Sequence, residues 1–87
     1  MTKHYLDVSE LEPCEPLEQA LGAARDLPQG DYLHVVHRQE PRLLFPLLEK
    51  SGFDWHCQRG GPAGFEIFIW QQGDLTANQS AHRHFQA

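Results

Sequence analysis

Basic residues are scarce in this chain: 7 Lys and Arg stand against 12 Asp and Glu, for a net charge of -5 with histidine neutral. A sequence-independent grip on nucleic acid needs a basic face, so this balance argues against it. Cysteine is scarce too, at two residues, too few for a disulfide-built scaffold. A Cys14–Cys57 bridge stays open on sequence grounds. No apolar run approaches the about 20 residues of a membrane-spanning helix, and the polar start Met1-Thr2-Lys3-His4 does not read as a signal peptide. The expectation is a cytoplasmic protein with reduced thiols and no membrane contact. A Gly-rich phosphate loop, a Cys-x-x-Cys pair and a His-Glu-x-x-His run are all missing. The carboxylates are many, but no acid–base pair is placed among them. Cofactor and metal are therefore left unassigned.

What is present suits one small globular domain. The 87 residues are 40% apolar, above the range of a disordered chain. Six histidines mean that mild acid removes most of the negative charge.

Strand and helix patterns alternate along the chain. Residues 5–8 read as a strand. Leu17, Ala20, Leu21, Ala24 and Leu27 recur at helical spacing, which predicts an amphipathic helix over 16–26. Leu27-Pro28-Gln29-Gly30 ends it. A second strand follows over 31–37, and Glu40-Pro41 opens a second helix through about Ser51, with Pro46 expected to kink it or break its first turns. Residues 53–58 and 65–71 form a hairpin across a Gly-rich turn. Residues 73–87 carry no apolar pattern and are expected to be a disordered polar tail after a domain over 1–72. The order βαβαββ predicts a two-layer α/β sandwich, a four-stranded mixed sheet with two helices on one face.

In such a sheet, ligands gather beyond the carboxyl ends of the parallel strands. Two segments leave that rim, each leading into a helix start. The first, Ser9 to Glu15, carries Glu12, Pro13, Cys14 and Glu15 and leads to Pro16 at the first helical position. The second, Arg38 to Pro41, follows His37, includes Glu40 and leads to Arg42. The helix dipole favours a thiolate at Cys14, while the flanking Glu12 and Glu15 oppose it; a tolerated, inert residue is the plainer reading. His37 ends its strand on the side of Leu33 and Val35. It suits an anion contact, proton transfer or metal ligation, and equally a structural hydrogen bond that fixes the loop. Cys57 alternates inward with Phe53 and Trp55 and reads as a buried, inert thiol, pointing away from His56. Phe68 and Trp70 alternate outward, onto the sheet face without helices. They read as an exposed aromatic surface for a partner or a homodimer, or as the seat of a tail packed back over them. His82 and His84 have the spacing of loose metal ligands, although solvated chain is commoner.

The opening run Leu6-Asp7, Leu11, Glu15-Pro16 resembles the first motif of the TusA/SirA sulfur-carrier family. Pro13 stands where that family carries its sulfur-bearing cysteine, and Cys14 where it has proline. The chain more closely resembles an uncharacterised sister family, a domain of unknown function often found beside hemerythrin-like domains. That family lacks the cysteine and keeps the pattern matched here by Glu12-Pro13-Cys14-Glu15-Pro16 and by His37 through Pro41. The resemblance covers residues 5–71 and implies the same α/β sandwich. Three functional expectations follow. The first is a non-catalytic accessory module, linked to redox, metal or sulfur metabolism, that binds a protein or a small anionic or metal-containing ligand at the rim. The second, implied by the TusA resemblance, is a sulfur carrier with a persulfide on Cys14. The third is an assembly domain that pairs through Phe68 and Trp70.

Overall fold

In the computed structural model the chain runs β1 (Lys3–Asp7), α1 (Glu15–Arg25), β2 (Tyr32–His37), α2 (Leu44–Lys50), β3 (Phe53–Gly60), β4 (Gly64–Gln71) and α3 (Leu75–Gln86). The structure describes residues 3–7, 15–61 and 63–86, with side chains for all of these except 15–17 and 84–86. One mixed sheet has the order β1-β2-β4-β3. β1 and β2 are parallel, with Leu6 opposite Val35. β4 is antiparallel to both neighbours, with Val35 and Cys57 flanking Ile67. The α/β sandwich read from the alternation is therefore the fold.

Burial follows position in the sheet. β2 and β4 are central, and Leu33, Val35, Val36, Ile67, Phe68 and Ile69 are almost fully buried. A strand covered on both faces reads as a continuous apolar run. β1 is an edge strand that alternates between exposed and half-buried, and its Lys3 and Asp7 discourage edge pairing. On one face, Leu33, Val35, Ile67 and Ile69 pack with Ala20 and Ala24 of α1, Leu44 and Leu48 of α2, and Phe53.

α2 begins at Leu44, later than the Glu40-Pro41 start expected from sequence. Pro46 sets this limit. Proline lacks an N–H and clashes with the carbonyl four residues back, so it is accepted only in a first turn. The segment before it forms tight turns, with the Arg42 and Leu44 N–H groups donating to the Glu40 and Pro41 carbonyls at 2.9 and 3.0 Å.

The C-terminal segment corrects two expectations. Leu75–Gln86 is a helix, not a disordered tail. It covers the second face of the sheet, where Ala77 and Ala81 pack on Tyr32, Phe68 and Trp70. Phe68 and Trp70 do face away from α1 and α2, but they are buried, at 0% and 4% exposure. They are therefore not an exposed aromatic surface. Asp74 starts the helix. Its Oδ1 accepts the Ala77 N–H at 3.1 Å and its Oδ2 accepts the Gly30 N–H at 2.6 Å, so one carboxylate caps α3 and ties it to the α1–β2 loop. Burial there raises the Tyr32 phenol above its ordinary pKa.

Beside these rings the second face carries a polar row. His34, almost fully buried, stacks on Phe68 with centroids 4.6 Å apart, and the Tyr5 ring meets its edge. Glu66 joins the strands: its carboxylate lies 2.9 Å from His34 Nε2 and accepts the Gln58 amide at 3.2 Å. Gln58 in turn lies 3.3 Å from His56. Gly61 closes over this carboxylate. It has φ +73°, and a Cβ there would stand 2.7 Å from Glu66 Cγ. Replacing Glu66 leaves His34 and Gln58 without that acceptor inside the fold. Glu66→Ala should therefore lower stability by about 1–3 kcal/mol in urea unfolding, whereas Glu49→Ala, on the exposed side of α2, should change it by less than about 0.5 kcal/mol.

Candidate functional site

The rim expected from sequence lies where β2 ends at His37 and β1 ends at Asp7, beside Val36. Three strands contribute to it. His37 and Arg59 both pair with Phe65, so a row His37–Phe65–Arg59 crosses β2, β4 and β3 on the face that carries α1 and α2. The Arg59 guanidinium stands over the Phe65 ring, 5.8 Å from its centroid. Arg38 follows His37 in the chain and is exposed, and the Arg38 carbonyl lies 3.9 Å from where a Cβ on Gly64 would stand.

His37 is fixed by its own loop. Its Nδ1 accepts the Gln39 N–H at 3.0 Å. An Nδ1 that accepts carries no proton, so the neutral ring holds its hydrogen on Nε2. Burial lowers the His37 pKa from its ordinary value, and the Arg38 charge adds to the effect. Protonation at Nδ1 would also break the Gln39 bond. His37 thus presents a neutral ring with an Nε2–H donor. That speaks for a hydrogen-bonding role and against a standing cation.

Glu40 and Arg42 form an exposed pair at 3.2 Å, with Arg42 83% solvent-accessible, so it adds little stability. Pro41 is half-buried between them. The Glu40 carboxylate also reaches Cys57 electrostatically. Burial pushes the Cys57 thiol above its ordinary pKa, and Glu40 pushes it further. Cys57 is half-buried, less enclosed than the sequence pattern suggested, and packs against the core cluster with Trp55, which stacks on Phe45 at 5.4 Å. It is a free thiol in a setting that suppresses its thiolate.

The structure thus brings His37, Arg38, Glu40, Pro41 and Arg42 together and adds Phe65, Arg59 and Cys57. Glu12, Pro13 and Cys14 lie outside the described residues. Glu15 and Pro16 are the first two positions of α1. Phe68 and Trp70 belong to the other face. Arg59 was legible in principle: once residues 60–64 are taken as the turn, hairpin register places it opposite Phe65. Among the described residues, no group of three or more His, Cys, Asp or Glu is arranged to hold a metal ion. His82 donates from Nδ1 to the Asn78 carbonyl at 2.8 Å and meets the Trp70 ring. Among the same residues, no helix is long and apolar enough to cross a membrane.

Two titrations test this electrostatic picture. Cys57 should alkylate more slowly than a free thiol at pH 8, and its reactivity should keep rising past the usual thiol range; Glu40→Gln should move that titration down. By NMR, His37 should titrate below an ordinary histidine, and Arg38→Ala should return part of the shift. The sign for stability follows. A pKa lowered in the fold means that the neutral ring's contribution is complete above the unfolded value near 6.5 and is lost as pH falls through the folded pKa. His37→Gln should flatten the stability profile over that acid interval.

No curated protein and no solved structure matches the chain. A family match covers residues 5–71, from within β1 to the end of β4, and so includes every described rim residue named above. By that match the chain belongs to the uncharacterized conserved protein family DUF2249.

Proposed function

We propose that this protein is a non-catalytic binding module whose rim holds an anionic group, as a small ligand or on a partner protein. The observation that carries the reading is the row His37–Phe65–Arg59 with Arg38 beside it. Arg38, Arg42 and Arg59 are exposed at one end of a chain whose net charge is -5, with Glu40 and Asp7 as described acidic neighbours. Guanidinium groups suit phosphate, sulfate and carboxylate oxygens, and the His37 Nε2–H supplies a neutral donor among them. Neither His37 nor Cys57 is prepared for chemistry. The first stays neutral, bonded to its own loop, and the second is held as a thiol. A link to redox, metal or sulfur metabolism is part of the proposal and rests on the sequence resemblance alone.

The second reading is sulfur carriage on Cys14. It is favoured by one position: Cys14 immediately precedes α1, whose first residue is Glu15. The reading draws on the general rule that a helix N-terminus favours a thiolate.

Calorimetric titration with inorganic phosphate, thiosulfate and an acidic peptide separates the readings. Binding at the rim should weaken about three- to tenfold in Arg38→Ala and in Arg59→Ala, and should fall as salt is raised. Cys14→Ser should leave it unchanged. Affinities untouched by both arginine changes would overturn the binding reading. A persulfide formed on Cys14 by a cysteine desulfurase, and lost in Cys14→Ser, would put sulfur carriage in its place.

A further inference from the structure

We infer that the anion held at the rim is carried by an extended segment of a partner protein, which lays an apolar side chain on Phe45 and Trp55 while its acid meets Arg59. This deepens the anion-binding reading above and rests on it. The surface follows from the register of β3. Trp55, Cys57 and Arg59 pair in turn with Ile69, Ile67 and Phe65 of β4. Alternate residues of a strand share a face, so these three side chains stand in one line on the side of α1 and α2. The line begins at the Trp55 ring, which stacks on Phe45 of α2 with the planes 6° from parallel. It ends at the Arg59 guanidinium over the Phe65 ring. Phe45, Trp55, Cys57 and Phe65 are each half-buried, and Arg59 is exposed. The strip thus adjoins the core and still keeps part of every side chain in water. β3 is the outer strand of the sheet order, so the strip runs along the sheet margin.

Composition and charge set the chemistry of the occupant. Tryptophan, phenylalanine and arginine are the side chains enriched at protein interfaces. Burial raises the Cys57 pKa, and the Glu40 charge raises it further, which puts that carboxylate within electrostatic reach of the middle of the strip. An acid over Cys57 would meet the Glu40 carboxylate, whereas an acid at the far end meets the Arg59 guanidinium. The occupant therefore carries its acid at one end and neutral side chains along the rest. A nucleic acid strand, with a phosphate at every step, does not fit that distribution. Trp55 and Arg59 are four residues apart, roughly 13 Å at about 3.3 Å per residue. A free phosphate ion is too small to touch both ends. An extended peptide spans them with an apolar residue four positions from an acidic one.

The test uses the full-length protein and two capped peptides, each with a glutamate pair at both ends and glycine–serine spacers. One has a central phenylalanine, four positions from the nearest glutamate on either side. The other has glycine there. In NMR titrations the phenylalanine peptide should bind about tenfold more tightly than the glycine peptide. Its shifts should extend from the rim to the Trp55 indole N–H and leave the Trp70 indole, on the other face, unmoved. Trp55→Leu should abolish the tenfold difference, and Arg59→Ala should weaken both peptides alike. Equal affinities for the two peptides, both weakened by Arg59→Ala, overturn this inference and leave the anion reading in place. Affinities that ignore Arg59→Ala overturn the anion reading as well. No binding of either peptide at millimolar concentration overturns the inference, and titration with inorganic phosphate then decides the anion reading separately. If Trp55→Leu does not fold, the indole signal of the unmodified protein decides: a Trp55 N–H unmoved by the phenylalanine peptide overturns the inference.

Discussion

The structure depends on covering β2 and β4 on both faces. These strands carry the largest fully buried side chains of the sheet: Leu33, Val35 and Val36 on one, Ile67, Phe68 and Ile69 on the other. Successive residues of a strand point to opposite faces, so an unbroken apolar run requires a layer on each side. α1 and α2 supply the first layer with leucine and alanine. The second face is covered less evenly. α3 lies over the rings, and beside it the row of His34, Glu66 and Gln58 replaces an apolar contact by hydrogen bonds. A buried polar row of this kind is stable only while each member keeps its partner.

This division also places the candidate site. The rim lies at the end of the sheet where the hairpin turn, the end of β2 and the start of β4 meet. The described side chains there are arginines, the carboxylates Glu40 and Asp7, a histidine held neutral and a suppressed thiol. The carboxylate most closely engaged with the sheet, Glu66, is turned to the opposite face. Three arginines thus stand at the rim, with Glu40 and Asp7 beside them, although the chain as a whole is acidic. Under the proposed reading, the guanidinium groups and the His37 Nε2–H are the donors that hold the anion.

The strands, the hairpin and α1 were legible because each has a clean period: helical spacing from Leu17 to Leu27, and alternation through Phe53, Trp55 and Cys57. The rim residues His37 through Arg42 were legible from the same order of elements. Three features were not. The late start of α2 comes from Pro46, whose effect on the preceding turn is clear, but whose exact boundary depends on the turns at Glu40 and Pro41. α3 was hidden because its described core residues are the alanines Ala77 and Ala81, and alanine leaves almost no hydropathy signal. That omission also misplaced Phe68 and Trp70: alternation assigned them to the correct face, while the element that covers the face went unseen. The burial of His34 was hidden as well, since its partner Glu66 is 32 residues away in the chain.

The most direct test of the central claim is an amide and histidine-ring shift map of the isotopically labelled full-length protein during phosphate titration. The account predicts saturable shifts confined to residues 37–42 and 59–65, with the His37 ring remaining the Nε2–H tautomer as the anion binds. Shifts that do not saturate, or that centre on His56, Gln58 and α3, would contradict it and move the functional face to the other side of the sheet.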